Sequence, residues 1–385
     1  MPSRMSAALA GLALAVLAAG CADPAAGRVS LVSASQPPAS SPPSPTAVPQ
    51  PPSPMASSGP ARHPFPMATS LAEPMATGAP LAATGPPRFF VSARTPLAHF
   101  PGRSKTAVVT PVPPAVHDAG TGAFIANIPL PPGIEGSSHR VAAARDNRTF
   151  AIAGWTGQAK PGLRFFLVRL GEDGRPGKPV PVTQTDPDDL TLVHDLALSA
   201  DGTRLAYATP LIGGGVKISV LDAATGRRRD WRTATHSMVG GLSWAPDGRS
   251  LASVLDGRAI AVLDLARLGD GPDGAASRIV KNATGAVPFE SVTHTPDGGA
   301  LIYASGHTVE RVPVSGGPAR VLARPELPPG ASLSLRFCVD GTGEHLLYAH
   351  QWRAYQIGLD GGAVTSVPIT AGERPGEGDS PRVAW

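Results

Sequence analysis

The chain has 385 residues, 44 of them Gly and 44 Pro, with a net charge of +4 and 2 Cys. So mild a charge, with aromatics at only 5% and no stacked aromatics interleaved with basic residues, argues against a nucleic-acid-binding face. Two cysteines exclude a small disulfide-framed domain, and the Gly and Pro content suits turn-dense β structure joined to a proline-rich tract.

Residues 1–20 read as a signal peptide. Arg4 supplies the positive n-region, and Ala7–Ala19 is an apolar run too short to span a bilayer with a stable flank. The run ends Leu17-Ala18-Ala19-Gly20-Cys21, which resembles a lipoprotein box, although the usual Leu three places before the cysteine is Ala18 here. That resemblance implies acylation of Cys21 and anchoring at the outer face of the cell membrane; the alternative is a secretory signal that is simply cleaved. Residues 21–87 are a disordered linker rich in Pro, Ser and Ala. Almost no charge and few large apolar side chains leave it nothing to build a core with. Where stiff, it extends at roughly 3.1 Å per residue and could hold a domain clear of a membrane.

Residues 88–385 carry a repeat. Its clearest copy is Leu242-Ser-Trp244-Ala-Pro246-Asp247-Gly248-Arg-Ser-Leu251-Ala-Ser253-Val-Leu255. Leu242 and Trp244, then Leu251, Ser253 and Leu255, fall at period two, the spacing of strands with one buried face. Pro246-Asp247-Gly248 is turn chemistry between them, so the unit is an antiparallel hairpin. Degenerate copies turn at Asp146-Asn147, Asp201-Gly202, Asp297-Gly298 and Asp340-Gly341. Each is followed by a second hairpin, such as Ile218–Trp231, so a unit has four strands. The aspartates recur every 43 to 55 residues, the period of a β-propeller blade.

The Trp-Ala-Pro-Asp-Gly core followed by Leu251-Ala252 resembles the TolB-like, WD-repeat-like β-propellers of bacteria, over roughly residues 86–385. The resemblance implies a propeller and is a poor guide to activity, since such folds serve as binding platforms, scaffolds and occasionally enzymes. Five units are complete. The ends supply the remainder: Ser380–Trp385 reads as a lone innermost strand, and Phe89–Ala93 with Ala115–Ile128 read as the strands that follow it. Joined, they make a sixth blade and remove the free edges. The expectation is therefore an all-β, six-bladed β-propeller closed by pairing of the C-terminal strand with the N-terminal blade; a strand hidden in Pro96–Pro114 would raise the number to seven.

Chemistry is sparse. Arg227-Arg228-Arg229, the one dense basic run, reads as a charged edge strand. Cys338 reads as a buried inert thiol, and the turn aspartates carry no chemistry. The candidates for ligand binding are side chains expected near the axis: His194, Asp195, His236, Glu290 and His294 at the start of innermost strands, and His307 and His350 after the second strands on the same face. Imidazoles ringed around a channel can bind metal, but one per blade in unrelated contexts reads as solvated loop histidine, and no metal or other cofactor is expected. Gly213-Gly214-Gly215 lacks the Lys-Ser/Thr of a phosphate loop, and no nucleophile elbow or His-Glu-x-x-His occurs. The reading is an exported monomeric binding module for an envelope protein or cell-wall ligand, attached to the membrane through its lipid. The competing reading is a propeller-type metal-dependent hydrolase or lactonase at the channel.

Overall fold

The structure, a computed structural model, describes residues 86–385 apart from 95–96, 100–107, 111, 157–161, 184–191, 268–275, 286, 326–336, 351–352, 361–363 and 370–380. The signal segment, Cys21 and the linker up to residue 85 lie outside the described residues.

The described residues begin with β1 (Phe89–Ala93), a hairpin of β2 (Leu97–His99) and β3 (Val108–Thr110), then β4 (Ala115–Asp118) and β5 (Phe124–Asn127). Blade 1 is β6 (Gly136–Ala143), β7 (Thr149–Trp155), β8 (Leu163–Arg169) and β9 (Val180–Pro181). Blade 2 is β10 (Asp195–Leu198), β11 (Arg204–Pro210), β12 (Val216–Asp222) and β13 (Arg228–Thr233). Blade 3 is β14 (Val239–Trp244), β15 (Ser250–Leu255), β16 (Ala259–Asp264) and β17 (Ser277–Asn282). Blade 4 is β18 (Phe289–His294), β19 (Ala300–Ser305), β20 (Thr308–Pro313) and β21 (Arg320–Ala323). Blade 5 is β22 (Cys338–Val339), β23 (His345–His350), β24 (Arg353–Gly358) and β25 (Val364–Pro368), and β26 (Arg382–Ala384) is last. Each blade is a four-stranded antiparallel meander, and the sixth has the order β26-β1-β4-β5. Ser92 faces Val383 and Ala93 faces Arg382, so the ring closes as the sequence predicts. Pro96–Pro114 does contain strands, but β2 and β3 pair only with each other and form a side ribbon, not a seventh blade.

The core consists of layers between neighbouring sheets rather than a single mass. Trp231, Val239 and Leu251 pack between blades 2 and 3; Phe150 and Phe166 pack with Phe89 and Ala384 between blades 6 and 1; Leu347 and Ala354 pack with Val383 and Trp385 between blades 5 and 6. Inner strands therefore have two buried faces. In β15, Ala252 and Val254 are as buried as Leu251 and Leu255, because the far face lies against blade 4. The single buried face read from period two is corrected accordingly. Small Ala and Ser let the sheets approach closely, and they weaken the hydrophobic signal without weakening burial.

The hairpin turns follow their chemistry. Asp146, Asp201, Asp247 and Asp297 each accept a hydrogen bond from the amide two residues on. Gly248 has φ 67°, and Asn147 stands in for glycine at φ 52°. Blade 5 departs from the expected register. Its left-handed residue is Gly343 at φ 79°, not Gly341, and Gly343 donates to the Asp340 carbonyl as Gly248 does to Ala245. Asp340 thus occupies the place of Ala245, two positions off the sequence alignment, and its carboxylate caps the Gly343 and Glu344 amides.

Candidate functional site

The innermost strands of blades 1 to 5 each lead into a hairpin turn, and the opposite end of each is where the chain enters the blade, so the ring has a crossover face and a hairpin face. On the hairpin face the turn aspartates are occupied by backbone. Thr295 Oγ1 at 2.5 Å and the Gly299 amide at 3.0 Å hold the Asp297 carboxyl below the usual range. No chemistry was expected there.

The predicted candidates divide between the two faces. His194, Asp195, His236 and Glu290 lie at or before the start of innermost strands, and His307 and His350 lie at the ends of second strands, all on the crossover face. His294 does not. It is the last residue of β18, just before the hairpin, and it takes the place that Trp244 takes in blade 3. Trp244 is wedged between blades, with Nε1 donating to the Ala197 carbonyl and Arg204 4.7 Å above its ring. His294 is likewise 6% exposed, both ring nitrogens lack a partner, and burial pushes its pKa down to about 4. It is a core wedge that happens to titrate.

Among the others, His236 is a staple. Its Nδ1 lies 2.8 Å from Asp256 Oδ2, while Asp256 Oδ1 accepts the Ser237 and Met238 amides at 2.9 and 2.8 Å. Asp256 holds this position with φ at 48°, so the crossover loop into blade 3 is pinned to the β15–β16 turn. Asp195 is 3% exposed and ties blades together: Oδ1 accepts the Leu196 amide at 2.6 Å and Oδ2 accepts Leu242 of the next blade at 2.8 Å. His194 donates its amide to Ala208. His307 is exposed, and His350 is half-buried with its pKa lowered by burial. One Glu290 carboxylate oxygen is buried without a partner, and burial raises that pKa to about 7. Among the described residues, no three His, Cys, Asp or Glu side chains come close enough to hold a metal ion.

A cavity of about 190 Å³ runs along the axis, lined by the innermost strands of all six blades. Drug-sized ligands need roughly 300 Å³ or more, so the channel holds a few waters or a single side chain, and a larger ligand must sit at its mouth or on a face. Along the innermost strands, one position recurs seven residues before each turn's left-handed residue. It is Arg140 in blade 1, Asp195 in blade 2, Gly241 in blade 3 and Ser291 in blade 4; Arg382, which immediately precedes Val383 and faces Ala93, is its counterpart in the closing blade. In blades 1, 3 and 4 this position falls in a β-bulge, between Ser137 and Val141, Gly240 and Ser243, and Phe289 and Val292. Gly241 is required there: at φ 60°, a Cβ would stand 2.7 Å from the Val292 nitrogen.

Sequence reasoning missed Arg140 and Arg382, although Arg140-Val141-Ala142 and Arg382-Val383-Ala384 repeat one tripeptide at one position of adjacent blades. It also missed four exposed apolar side chains on one face. Leu192, Met238 and Val287 on crossover loops and Ile212 in the β11–β12 turn are exposed, all on the crossover face of blades 2 to 4. The other large exposed apolar side chains among the described residues, Phe124, Val180, Ile279 and Val321, lie on the outermost strands.

Cys338 is half-buried, and burial pushes its thiol up to about 12. Arg229 crosses from blade 2 to donate to the Leu265 carbonyl of blade 3 at 2.6 Å, so part of the basic run is structural.

No family model and no curated protein matches the chain. Solved structures do. Putative TolB from Agrobacterium tumefaciens is 15% identical, covering 73% of this chain and 89% of that one, with a TM-score of 0.42. A chain of a nidogen/laminin complex is 14% identical, covering 77% and 97%, with a TM-score of 0.49. The β-propeller domain of Cps50 (Swd1) from Myceliophteria thermophila is 14% identical, covering 72% and 87%, with a TM-score of 0.40. The six-sheet ring rests on the strand pairings of this chain itself.

Proposed function

We propose that the protein is an exported, lipid-anchored β-propeller that binds a protein or cell-wall ligand at the cell envelope through its crossover face. The observation that carries this is the placement of Leu192, Ile212, Met238 and Val287, four exposed apolar side chains on the loops of one face of three consecutive blades. Solvated loops seldom gather large apolar side chains without a partner to cover them. Two of the segments bearing them are held in place: the Asp256 staple holds Met238, and the Phe289 amide beyond Val287 donates to the Gly257 carbonyl at 2.7 Å. A face pre-ordered in this way loses little conformational entropy on binding. Leu17–Cys21 and the proline-rich stretch after it support delivery across a membrane and a tether for the domain.

Cross-linking in intact cells tests the reading. The full chain should capture a defined envelope component, and the triple variant Ile212→Ser, Met238→Ser, Val287→Ser should lose it while melting as the parent does. Capture unaffected by the triple variant would overturn the assignment of the face. A labelled fatty acid should be incorporated into the wild type and not into Cys21→Ala; labelling of both, or of neither, would overturn the anchor.

A further inference from the structure

Three of the exposed apolar side chains belong to one continuous strip of the crossover face. The β11–β12 turn that carries Ile212 lies against β13, where a Cβ on Gly215 would run into the Thr233 carbonyl. Thr233 leads through His236 to Met238, whose carbonyl accepts the Asp256 amide at 2.9 Å. The Gly257 carbonyl next to it accepts the Phe289 amide at 2.7 Å, and Val287, just before that residue, comes within 3.2 Å of where a Gly306 Cβ would stand. The cations of this strip are uncompensated. Lys217 and Arg232 are direct cross-strand partners at the crossover ends of β12 and β13, like charges on one face of the sheet. Arg258 is exposed in the β15–β16 turn. None of these three side chains makes an ion pair or a hydrogen bond with the described residues. The carboxylates nearby are taken: Asp230 by Arg228 at 3.2 Å, and Asp256 by His236 and the Ser237 and Met238 amides. Glu290 keeps one oxygen buried, and burial favours its protonated form.

Like charges set opposite each other cost stability, and aliphatic side chains left in water beside them invite cover. A partner that brings carboxylates and apolar groups together relieves both. An anionic polysaccharide has no apolar groups to lay on Ile212 or Met238. A bilayer is gripped by Trp, Phe and Leu sunk among its headgroups, and among the described residues the strip exposes no aromatic side chain. Met, by contrast, packs readily on varied protein surfaces. We propose that the strip docks an acidic segment of a polypeptide partner, with its carboxylates on Lys217, Arg232 and Arg258 and its apolar side chains on Ile212, Met238 and Val287. The proposal rests on the crossover-face reading and narrows its ligand to a protein of stated charge.

Random peptides displayed as a library and selected on the purified chain test this. Peptides whose binding is abolished by the triple variant Ile212→Ser, Met238→Ser, Val287→Ser depend on the face. They are expected to be rich in Asp and Glu and to carry aliphatic or aromatic side chains. Their affinity should fall by about tenfold or more in the double variant Arg232→Glu, Arg258→Glu, and it should weaken with added salt. Both arginines are exposed and unpaired, so that variant should melt as the parent does. Arg249→Glu, an equal charge change at an exposed residue of the hairpin face, should leave the affinity unchanged. Face-dependent peptides that are neutral or basic, or that bind the double variant as tightly as wild type, overturn the acidic partner and leave the face standing. A selection that yields no face-dependent peptide overturns the face and the proposal with it. Sedimentation with phosphatidylglycerol vesicles that the double variant abolishes would make the partner a membrane, and would equally overturn the proposal.

Discussion

Glu290 and His294 stand four residues apart on one strand, yet their environments pull their pKa values in opposite directions for the same reason. Burial disfavours the charged form, so the Glu290 pKa rises to about 7 and the His294 pKa falls to about 4. For Glu290 the folded state holds a proton that the unfolded chain releases above its ordinary value near 4.5. Stability is therefore lost as pH rises from about 4.5 to 7, and the loss is constant above that. Glu290→Gln should melt higher than wild type at pH 8, by an amount on the order of 1 kcal/mol given partial solvent access, and the gap should close towards pH 5. A gap independent of pH would show that the gain has another source. Neither shift is legible in the sequence, because each depends on what the neighbouring blade lays against the side chain. The role of His294 was closer to legible: aligned on its turn, it stands where Trp244 stands.

Among the elements, the hairpin is the part the sequence reveals best. Asp followed by Gly, or by Asn147 in blade 1, sets four of the five turns, and the Asp side-chain bonds appear as that chemistry requires. Blade 5 was misaligned because Asp340-Gly341 and Thr342-Gly343 both offer a turn, and the choice is made by packing. Gly343 nests on Pro296 of the preceding turn, where a Cβ would come within 2.6 Å of the proline ring, much as Gly298 lies against Pro246. Gly343→Ala should therefore destabilise the protein by about 1–3 kcal/mol through its left-handed backbone and that clash, whereas Gly341→Ala should stay within about 0.5 kcal/mol. Chemical denaturation of the two variants side by side checks this, and equal effects would favour the Asp340-Gly341 register. The bulges in β6, β14 and β18 left no such trace. A bulge adds one residue without changing composition, so the place of Arg140 in the β6 bulge was invisible to a reading based on alternation.

For the whole molecule, the ring was legible because its remainders complement each other: one innermost strand at one end, three following strands at the other. Removal of residues 380–385 takes away β26 and with it Val383 and Trp385 from the layer between blades 5 and 6. It also bares the inner edge of β1. The truncated chain should lose several kcal/mol, since two large buried side chains at roughly 2–3 kcal/mol each go with the strand's hydrogen bonds, and it should tend to self-associate through the bare edge. Calorimetry and sedimentation would read both effects. An unchanged melt in a monomeric truncation would mean that β26 contributes little to closure. What the ring does not encode is its ligand, because a periodic scaffold repeats its packing residues and confines its individual ones to loops and to single positions at the mouth.

The clasp between β26 and β1 also fixes an order of events. A chain that appears from its N-terminal end exposes β1 nearly three hundred residues before the strand that covers it arrives. Until then the arc of sheets has one raw margin at each extremity, and neither can be healed by local structure. Assembly of the last layer is thus tied to the arrival of β26, and anything that delays that segment holds the protein in its stickiest form.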